Sequence, residues 1–270
     1  MRFHDLMSLS DERTDDQVES LSAQLLETQK ELERVQLEQE RLRASFRLFS
    51  HDLKAPVRAI LQLAEWIHED CVGRLPPDAE ENLEMLRSRA RRLEKMHRDL
   101  SSYIRCHQLV EQPPAHFDLS SSVAHAWKEV EQKTLGHYEF ATDLGPQTRS
   151  LFGLQRLIET VLLNLLSNAV LHHDRDEGFV SVMARVEQDG ALLVLRVEDD
   201  GPGIAPHLQE QALVPMKTLR SRDQGAGTGL GLPIVSSLIE ALDGRFEMEY
   251  TFPSTSRGLR ITCEIPLANS

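Results

Sequence analysis

Gly225-Ala-Gly-Thr-Gly-Leu-Gly-Leu232 is the most informative segment of this 270-residue chain. The apolar run that follows predicts a helix over 231–243. Glycines at the start of a helix let backbone amides approach phosphate oxygens, and the helix dipole favours the negative charge. The segment is not a Walker A loop, because no Gly-Lys-Ser or Gly-Lys-Thr follows it. Taken alone, it predicts a phosphate-binding loop or, as the simpler alternative, a turn without a ligand.

Two upstream motifs make the phosphate interpretation more specific. The segment Asp199-Asp-Gly-Pro-Gly-Ile204 ends a strand-like run, and no GxGxxG opens a helix within a βαβ unit there, so it does not fit the dinucleotide fingerprint. Asn164 and Asn168 lie at i and i+4 on one face of an otherwise apolar helix. Their amide oxygens can hold Mg²⁺, and their NH₂ groups can donate to phosphate. A structural role inside the core is the alternative for this pair.

The elements around these motifs alternate between helices and strands. Apolar periodicity predicts helices over 119–133, 154–172 and 231–243. Alternation predicts strands over 179–187, 191–198, 245–252 and 258–266, with a hairpin turn at 187–190. Interleaved strands and helices indicate an α/β sandwich.

In combination, the order NxxxN, DxGxG and GxGLGL resembles the ATP-binding domain shared by sensor histidine kinases, gyrase, Hsp90 and MutL. The resemblance implies a Bergerat-type ATPase fold with ATP and Mg²⁺ as cofactors. Asn164 and Asn168 match the N-box, with Asn168 the preferred Mg²⁺ ligand, and Asp199 matches the residue that accepts a hydrogen bond from the adenine amino group. The other implied nucleotide-binding residues are Gly201, Gly203, Ile204, Gly227, Thr228, Gly229, Leu230 and Gly231.

The region 206–224 is similar to the mobile ATP lid of that family. Its available cations are Lys217, Arg220 and Arg222. The chain departs from the family at Leu171, where many relatives carry a lysine that serves the phosphates. His172, His173 or the lid cations would have to replace that charge. His172 also matches a position where relatives often place a ring near the adenine. A solvated helix end is the alternative for both histidines.

The N-terminal part carries a heptad pattern. Seam positions recur at alternating spacings of three and four from Val18 to Leu53. The pattern predicts a parallel coiled coil over 1–45, and a single amphipathic helix packed on a globular body is the alternative. Thr28 and Gln39 in the seam would fix the register and favour a dimer.

A helical hairpin is predicted over 46–110. The heptad register continues to Ile67, Pro56 is expected to kink this helix, and the segment 71–77 breaks it. A second helical pattern runs from Leu83 to Ile104. Because one hairpin cannot bury its apolar face alone, two hairpins in a homodimer would form a four-helix bundle. A linker at 111–116 then leads to a catalytic domain at 117–270.

The segment Phe49-Ser-His-Asp-Leu-Lys-Ala-Pro-Val-Arg58 resembles the H-box of histidine kinases, particularly the phytochrome-like ones. The heptad register places His51 at the outermost position, f. Asp52 can accept the Nδ1 proton of His51 and so leave Nε2 free to attack. The resemblance implies that His51 is autophosphorylated and that the phosphoryl group passes to an Asp of a response regulator receiver domain.

Composition limits the function classes. The chain has 30 Lys and Arg against 43 Asp and Glu, a formal net charge of −13, which argues against gripping a nucleic acid backbone. Three cysteines without a CxxC pair predict neither a zinc site nor disulfides. No apolar run reaches about 18 residues, so we expect a cytoplasmic protein without a membrane span.

The region before the hairpin is too short for a sensor domain. Input would come from an upstream sensor protein on the coiled coil, or the chain is a fragment.

Three functions are compatible with these motifs. The leading one is an ATP-dependent protein-histidine kinase. A non-enzymatic histidine phosphotransferase or adaptor with a degenerate ATP-binding domain is favoured slightly by Leu171 but opposed by Asn168, Asp199 and the two glycine motifs. A serine kinase of the anti-sigma type has the same ATP fold but lacks an H-box hairpin.

Overall fold

The computed structural model describes residues 26–31, 34–35, 37, 54–71, 73–219 and 227–268. The chain divides into two compact units, Met1–Leu53 and Lys54–Ser270. The described residues of the first unit are helical. The rest of the expected coiled coil lies outside the described residues, as do His51, Asp52, Arg220 and Arg222.

The second unit begins with a helical hairpin. Helix α1 covers 54–71 and helix α2 covers Pro77–Arg105. The predicted break between them is confirmed: Gly73 adopts a positive φ of 68° in the turn, and Pro77 stands in the first turn of α2, where a missing N–H costs nothing. Pro56 lies in the first described turn of α1, so the kink there stays a prediction.

The hairpin leaves an apolar face exposed. Its buried apolar residues are few and include Val57, Ala64, Leu83 and Ala90. Larger apolar side chains stay about half exposed, namely Ile60, Leu63, Trp66, Ile67, Met85, Leu86 and Leu93. Large exposed apolar surfaces mark interaction sites more often than free surfaces. None of the described helices combines the length and apolar character that a membrane span requires.

An α/β domain follows the hairpin. Its strands are β1 (Ala115–Phe117), β2 (His137–Leu144), β3 (Leu151–Gly153), β4 (Glu177–Glu187), β5 (Leu192–Asp199), β6 (Arg245–Glu249) and β7 (Arg260–Pro266). Its α-helices are α3 (Leu119–Glu131), α4 (Gln155–Leu171), α5 (Pro206–Ala212) and α6 (Gly231–Glu240). Within the described part of the chain, the main sheet has the order β2-β4-β5-β7-β6, with only the β2–β4 pair parallel.

The sheet and the helices form two layers. In β5 and β7 every second side chain is buried, which is the pattern of a sheet with one covered face. Leu193, Leu195 and Cys263 on that face are fully buried and share one core with the apolar side chains of α3, α4 and α6. The predicted α/β sandwich is thereby confirmed, and the ends of β5 and α4 lie at the same edge of it.

Most predicted elements of this domain are present, with shifted ends. The three helices and the hairpin turn between β4 and β5 are confirmed. The strand expected over 245–252 ends at Glu249, because a short turn at 253–255 closes a bridge between Phe252 and Arg257. The sequence interpretation missed β1, β2, β3 and α5. β2 is an exposed edge strand with polar and apolar residues mixed, and β1 and β3 have three residues each.

Candidate active site

A cavity of about 600 Å³ opens between α2, α4, the loop after β5 and the start of α6. The predicted site residues that line it are Asn164, Asn168, His172, Asp199, Gly203, Ile204, Lys217, Gly227, Thr228, Gly229 and Gly231. Gly201 and Leu230 do not. Leu230 is 1 % exposed and belongs to the core, and Gly201 lies behind the Asp199 carboxylate. The three motifs, far apart in sequence, thus meet at one cleft.

The Asp199 carboxylate is fixed by the backbone around it. Gly201 N donates to Oδ1 at 2.9 Å, and Leu259 N donates to the same oxygen at 3.1 Å. Oδ2 is therefore the oxygen that can accept from a ligand in the cleft. Burial raises the pKa of Asp199 to about 6, against the two backbone hydrogen bonds, which lower it. The carboxylate is a buried acceptor with one oxygen committed to the fold.

The two asparagines of α4 face the start of α6. Asn164 Nδ2 donates to Thr160 O at 2.7 Å, so the amide group is oriented and its Oδ1 is directed elsewhere. A Cβ added at Gly231 would lie 3.4 Å from that Oδ1, which places the first turn of α6 directly beside it. Asn168 lines the same cleft one turn later. Two amide oxygens beside a helix N-terminus can serve a cation and an anion together.

The glycine loop needs its glycines for space. Gly229 has a φ of 71°, and a Cβ there would lie 2.5 Å from Lys217 O. A Cβ at Gly227 would come within 3.1 Å of Leu171 and 3.3 Å of His172. The loop therefore passes close over the end of α4. Among the described residues, no side chain caps α6, so its first backbone amides can meet an anion.

The two histidines after α4 have different environments. His172 lines the cleft, beside Leu171, which is 41 % exposed. The His173 side chain is fully buried, and its Nε2 lies 3.0 Å from Asp200 Oδ1. The solvated-end interpretation of His173 is therefore wrong, and so is the idea that His173 replaces the missing cation. Both failed because the sequence shows the spacing of the histidines but not the turn of the chain after Leu171.

Helix α2 contributes residues that the sequence interpretation missed. Lys95, Arg98 and Asp99 line the cleft, and Thr228 Oγ1 donates to Asp99 Oδ2 at 2.6 Å. The three residues lie within five positions of one helix, so they share a face. This spacing was visible in the sequence, but only the packing of α2 against the glycine loop gives it meaning. Lys95 and Arg98 thus bring two cations to the same cleft that Leu171 lines.

The comparisons with known proteins agree with this geometry. Residues 153–269, which carry all three motifs, match the family described as histidine kinase-, DNA gyrase B-, and HSP90-like ATPase. The chain is 32% identical over 222 residues to the sensor protein kinase CarS of Pseudomonas aeruginosa, covering 82% of this chain and 45% of CarS. It is 31% identical over 246 residues to the sensor histidine kinase CpxA of Escherichia coli, covering 87% and 49%. The chain therefore spans about half the length of these curated relatives.

Solved structures show the same fold. Full-length ShkA, crystallised in complex with AMPPNP, superposes with a TM-score of 0.65 at 21% identity, covering 84% of this chain and 46% of ShkA. The histidine kinase AdeS of Acinetobacter baumannii superposes with a TM-score of 0.52 at 25% identity, covering 81% and 98%. Both matches extend beyond the α/β domain into the helical part.

Proposed function

Because residues 153–269 belong to the histidine kinase-, DNA gyrase B-, and HSP90-like ATPase family and the chain is homologous to sensor histidine kinases, we propose that the protein is an ATP-dependent protein-histidine kinase. It autophosphorylates on His51 and passes the phosphoryl group to an Asp of a response regulator receiver domain. The roles of His51 and Asp52 depend on the H-box resemblance. The observation that carries the proposal is the open cleft in which Asp199, the asparagines of α4 and the glycine loop meet.

The cleft offers complementary groups to each part of magnesium-ATP. Asp199 Oδ2 accepts from the adenine amino group, while Oδ1 keeps its two backbone donors. The amides of the glycine loop and of the first turn of α6 donate to phosphate oxygens. Asn164 and Asn168 supply amide oxygens to Mg²⁺, whose chemistry is to neutralise phosphate charge during transfer. Gly231 lies directly beside Asn164 Oδ1, so the first turn of α6 and this amide oxygen can serve the phosphates and Mg²⁺ together.

The missing cation at Leu171 has replacements around the cleft. Lys217 comes from the lid side, and Lys95 and Arg98 come from α2. Magnesium-ATP carries net negative charge, and the chain itself has a net charge of −13, so local cations are needed to hold the phosphates. We assign this role to these three residues. Cations elsewhere in the site then compensate for the missing charge at Leu171. The apolar residue at this position therefore does not support the adaptor interpretation.

The exposed apolar face of the hairpin supports a homodimer. Pairing two hairpins through Leu63, Trp66 and their neighbours would cover this face in a four-helix bundle, continued by the coiled coil of 1–45. The working division is 1–45 for the coiled coil, 46–110 for the phosphotransfer hairpin, 111–116 for the linker and 117–270 for the catalytic domain. A sensor protein that docks on the coiled coil would supply the signal in the cytoplasm, where ATP and the regulator are present.

Nucleotide binding and labelling separate the candidate functions. We expect calorimetric binding of magnesium-ATP, followed by labelling from γ-³²P-ATP that is acid-labile and alkali-stable. His51→Gln should abolish labelling and leave nucleotide binding intact. His68→Gln, another histidine of the hairpin, is the matched control and should label normally. Binding without label in every variant would support the adaptor, and an acid-stable label would support a serine kinase.

A further inference from the structure

A buried histidine–carboxylate pair lies directly behind the adenine side of the proposed nucleotide site. The His173 side chain is fully buried, and its Nε2 lies 3.0 Å from Asp200 Oδ1. Its other ring nitrogen, Nδ1, lies 3.1 Å from both the amide nitrogen and the carbonyl oxygen of Arg175. Because the Asp200 carboxylate can only accept hydrogen bonds, Nε2 is the ring nitrogen that donates to it. Both ring nitrogens are therefore committed, and neither points into the cleft.

Asp200 connects the ring to the sheet. Its Oδ1 also accepts from Phe179 N in β4 at 2.7 Å, and its Oδ2 accepts from Arg175 Nη2 at 2.7 Å. Partial burial alone would raise the pKa of Asp200, but these hydrogen bonds and the neighbouring positive charge hold it below its usual value. Asp200 is thus an ionised carboxylate whose position is set by α4, by β4 and by the loop between them.

The chain leaves space for this pair at one specific position. A Cβ at Gly178 would lie 2.5 Å from His173 Nε2 and 3.0 Å from Asp200 Oδ1. Any larger residue at 178 would push the ring and the carboxylate apart. The pair therefore requires compatible residues at three positions in different elements, His173, Gly178 and Asp200. Packing of a helix end alone would not impose this requirement.

The pair sets the turn that presents Asp199. A Cβ at Gly201 would come within 3.3 Å of His173 Cδ2 and 3.0 Å of Asp199 Oδ1, so Gly201 packs between the His173 ring and the Asp199 carboxylate. Gly201 N is one of the two donors that orient Asp199. A shift of the ring or of Asp200 would move both the donor and the residue that bears the carboxylate.

We propose that His173 and Asp200 are positioning residues for base recognition: they fix the turn 199–201 so that Asp199 meets the amino group of adenine. This inference rests on the proposed nucleotide site and adds residues that do not touch the nucleotide. The phosphate side, with the asparagines of α4 and the glycine loop, does not depend on the pair. Disrupting the pair should therefore reduce discrimination between bases more than it reduces phosphate binding.

The test compares two nucleotides in equilibrium binding to the full chain. The probes are magnesium-ATP and the magnesium triphosphate of purine riboside, which lacks the amino group. For His173→Ala we expect the preference for ATP to fall about tenfold, the lower end of the range for one lost hydrogen bond to a charged acceptor, because Asp199 itself is kept. His173→Gln keeps an N–H near the position of Nε2 and should restore most of the preference. Thr148→Val removes a buried hydrogen bond to Gly145 O away from the cleft and controls for destabilisation.

The outcomes separate this inference from the proposed function. An unchanged preference in a folded His173→Ala, or an equal loss in Thr148→Val, would overturn the positioning role. If His173→Ala does not fold, Asp200→Asn and Gly178→Ala provide the same comparison from the other two positions, with the same expected loss. A wild-type chain that binds neither nucleotide would instead refute the nucleotide site itself.

Discussion

Replacing Asp199 by asparagine tests the adenine side of the site. Gly201 N and Leu259 N both donate to Oδ1, so an asparagine that keeps these bonds must turn its NH₂ group toward the amino group of adenine. The opposite rotamer sets the NH₂ group against the two backbone donors. Losing a hydrogen bond to a charged acceptor costs about 1.5–3 kcal/mol, which predicts ATP binding weakened by roughly 10- to 150-fold.

The same substitution should not weaken the fold at neutral pH. Asp199 has its pKa raised from 3.8 to about 6 by burial, so its ionised form costs about 3 kcal/mol of folding free energy. The contribution of Asp199 to the folding free energy is fully present below its pKa in the unfolded chain, 3.8. It is lost as the pH rises through the folded-state pKa of about 6. Relative to Asp199→Asn, wild type should therefore gain up to that amount in folding free energy between pH 7 and pH 4.

The assay is calorimetric titration with magnesium-ATP between pH 5.5 and 7.5, with thermal unfolding of both proteins in parallel. The wild-type affinity should fall as the carboxyl protonates below about pH 6. Asp199→Asn should show only the titration of ATP itself. An affinity within twofold of wild type at pH 7.5, in a folded variant, would refute the assignment of Asp199 to adenine.

Three further substitutions probe other parts of the molecule. Gly229→Ala adds strain of about 1–3 kcal/mol and should weaken ATP binding at least tenfold in the same titration, whereas Gly73→Ala, with φ 68° but open space, should not. Asp99→Asn removes one negative charge from the lining of the cleft. For an assumed separation of about 8 Å in water, the repulsion between this charge and a doubly charged magnesium-ATP is about 1 kcal/mol. ATP should then bind about fivefold tighter at low salt, a gain that disappears at high salt. If the proposed dimer forms through the hairpin, Leu63→Glu should make the protein monomeric in sedimentation experiments. Leu135, equally apolar and fully exposed outside the hairpin, is the control, and Leu135→Glu should leave the dimer intact.

The fold could be predicted where burial imposes a regular pattern. α4 was expected over 154–172 and spans Gln155–Leu171, because nearly all of its inward positions are apolar. The β4–β5 hairpin was clear from its alternation and its turn. β2 was not, because as an edge strand it has few buried residues, and its parallel pairing with β4 is a long-range contact that local pattern cannot report.

The site could be predicted from the sequence only for residues that belong to the three motifs. The motifs bring Asn168 and Asp199 together, and both line one cleft although they lie on different elements. Leu230, inside the glycine motif, is a core residue, because its side chain points away from the backbone that lines the cleft. Asp99 and the pair formed by His173 and Asp200 could not be inferred, since each depends on packing between segments far apart in the sequence.

The central claim is that a nucleotide held in this cleft phosphorylates one histidine of the same protein. Tandem mass spectrometry at alkaline pH, after incubation of the full chain with magnesium-ATP, locates the transferred group directly. We expect a single phosphohistidine at His51, absent from Asn168→Ala. A phosphoryl group on serine, threonine or another histidine, or none on a protein that binds magnesium-ATP, would contradict the claim.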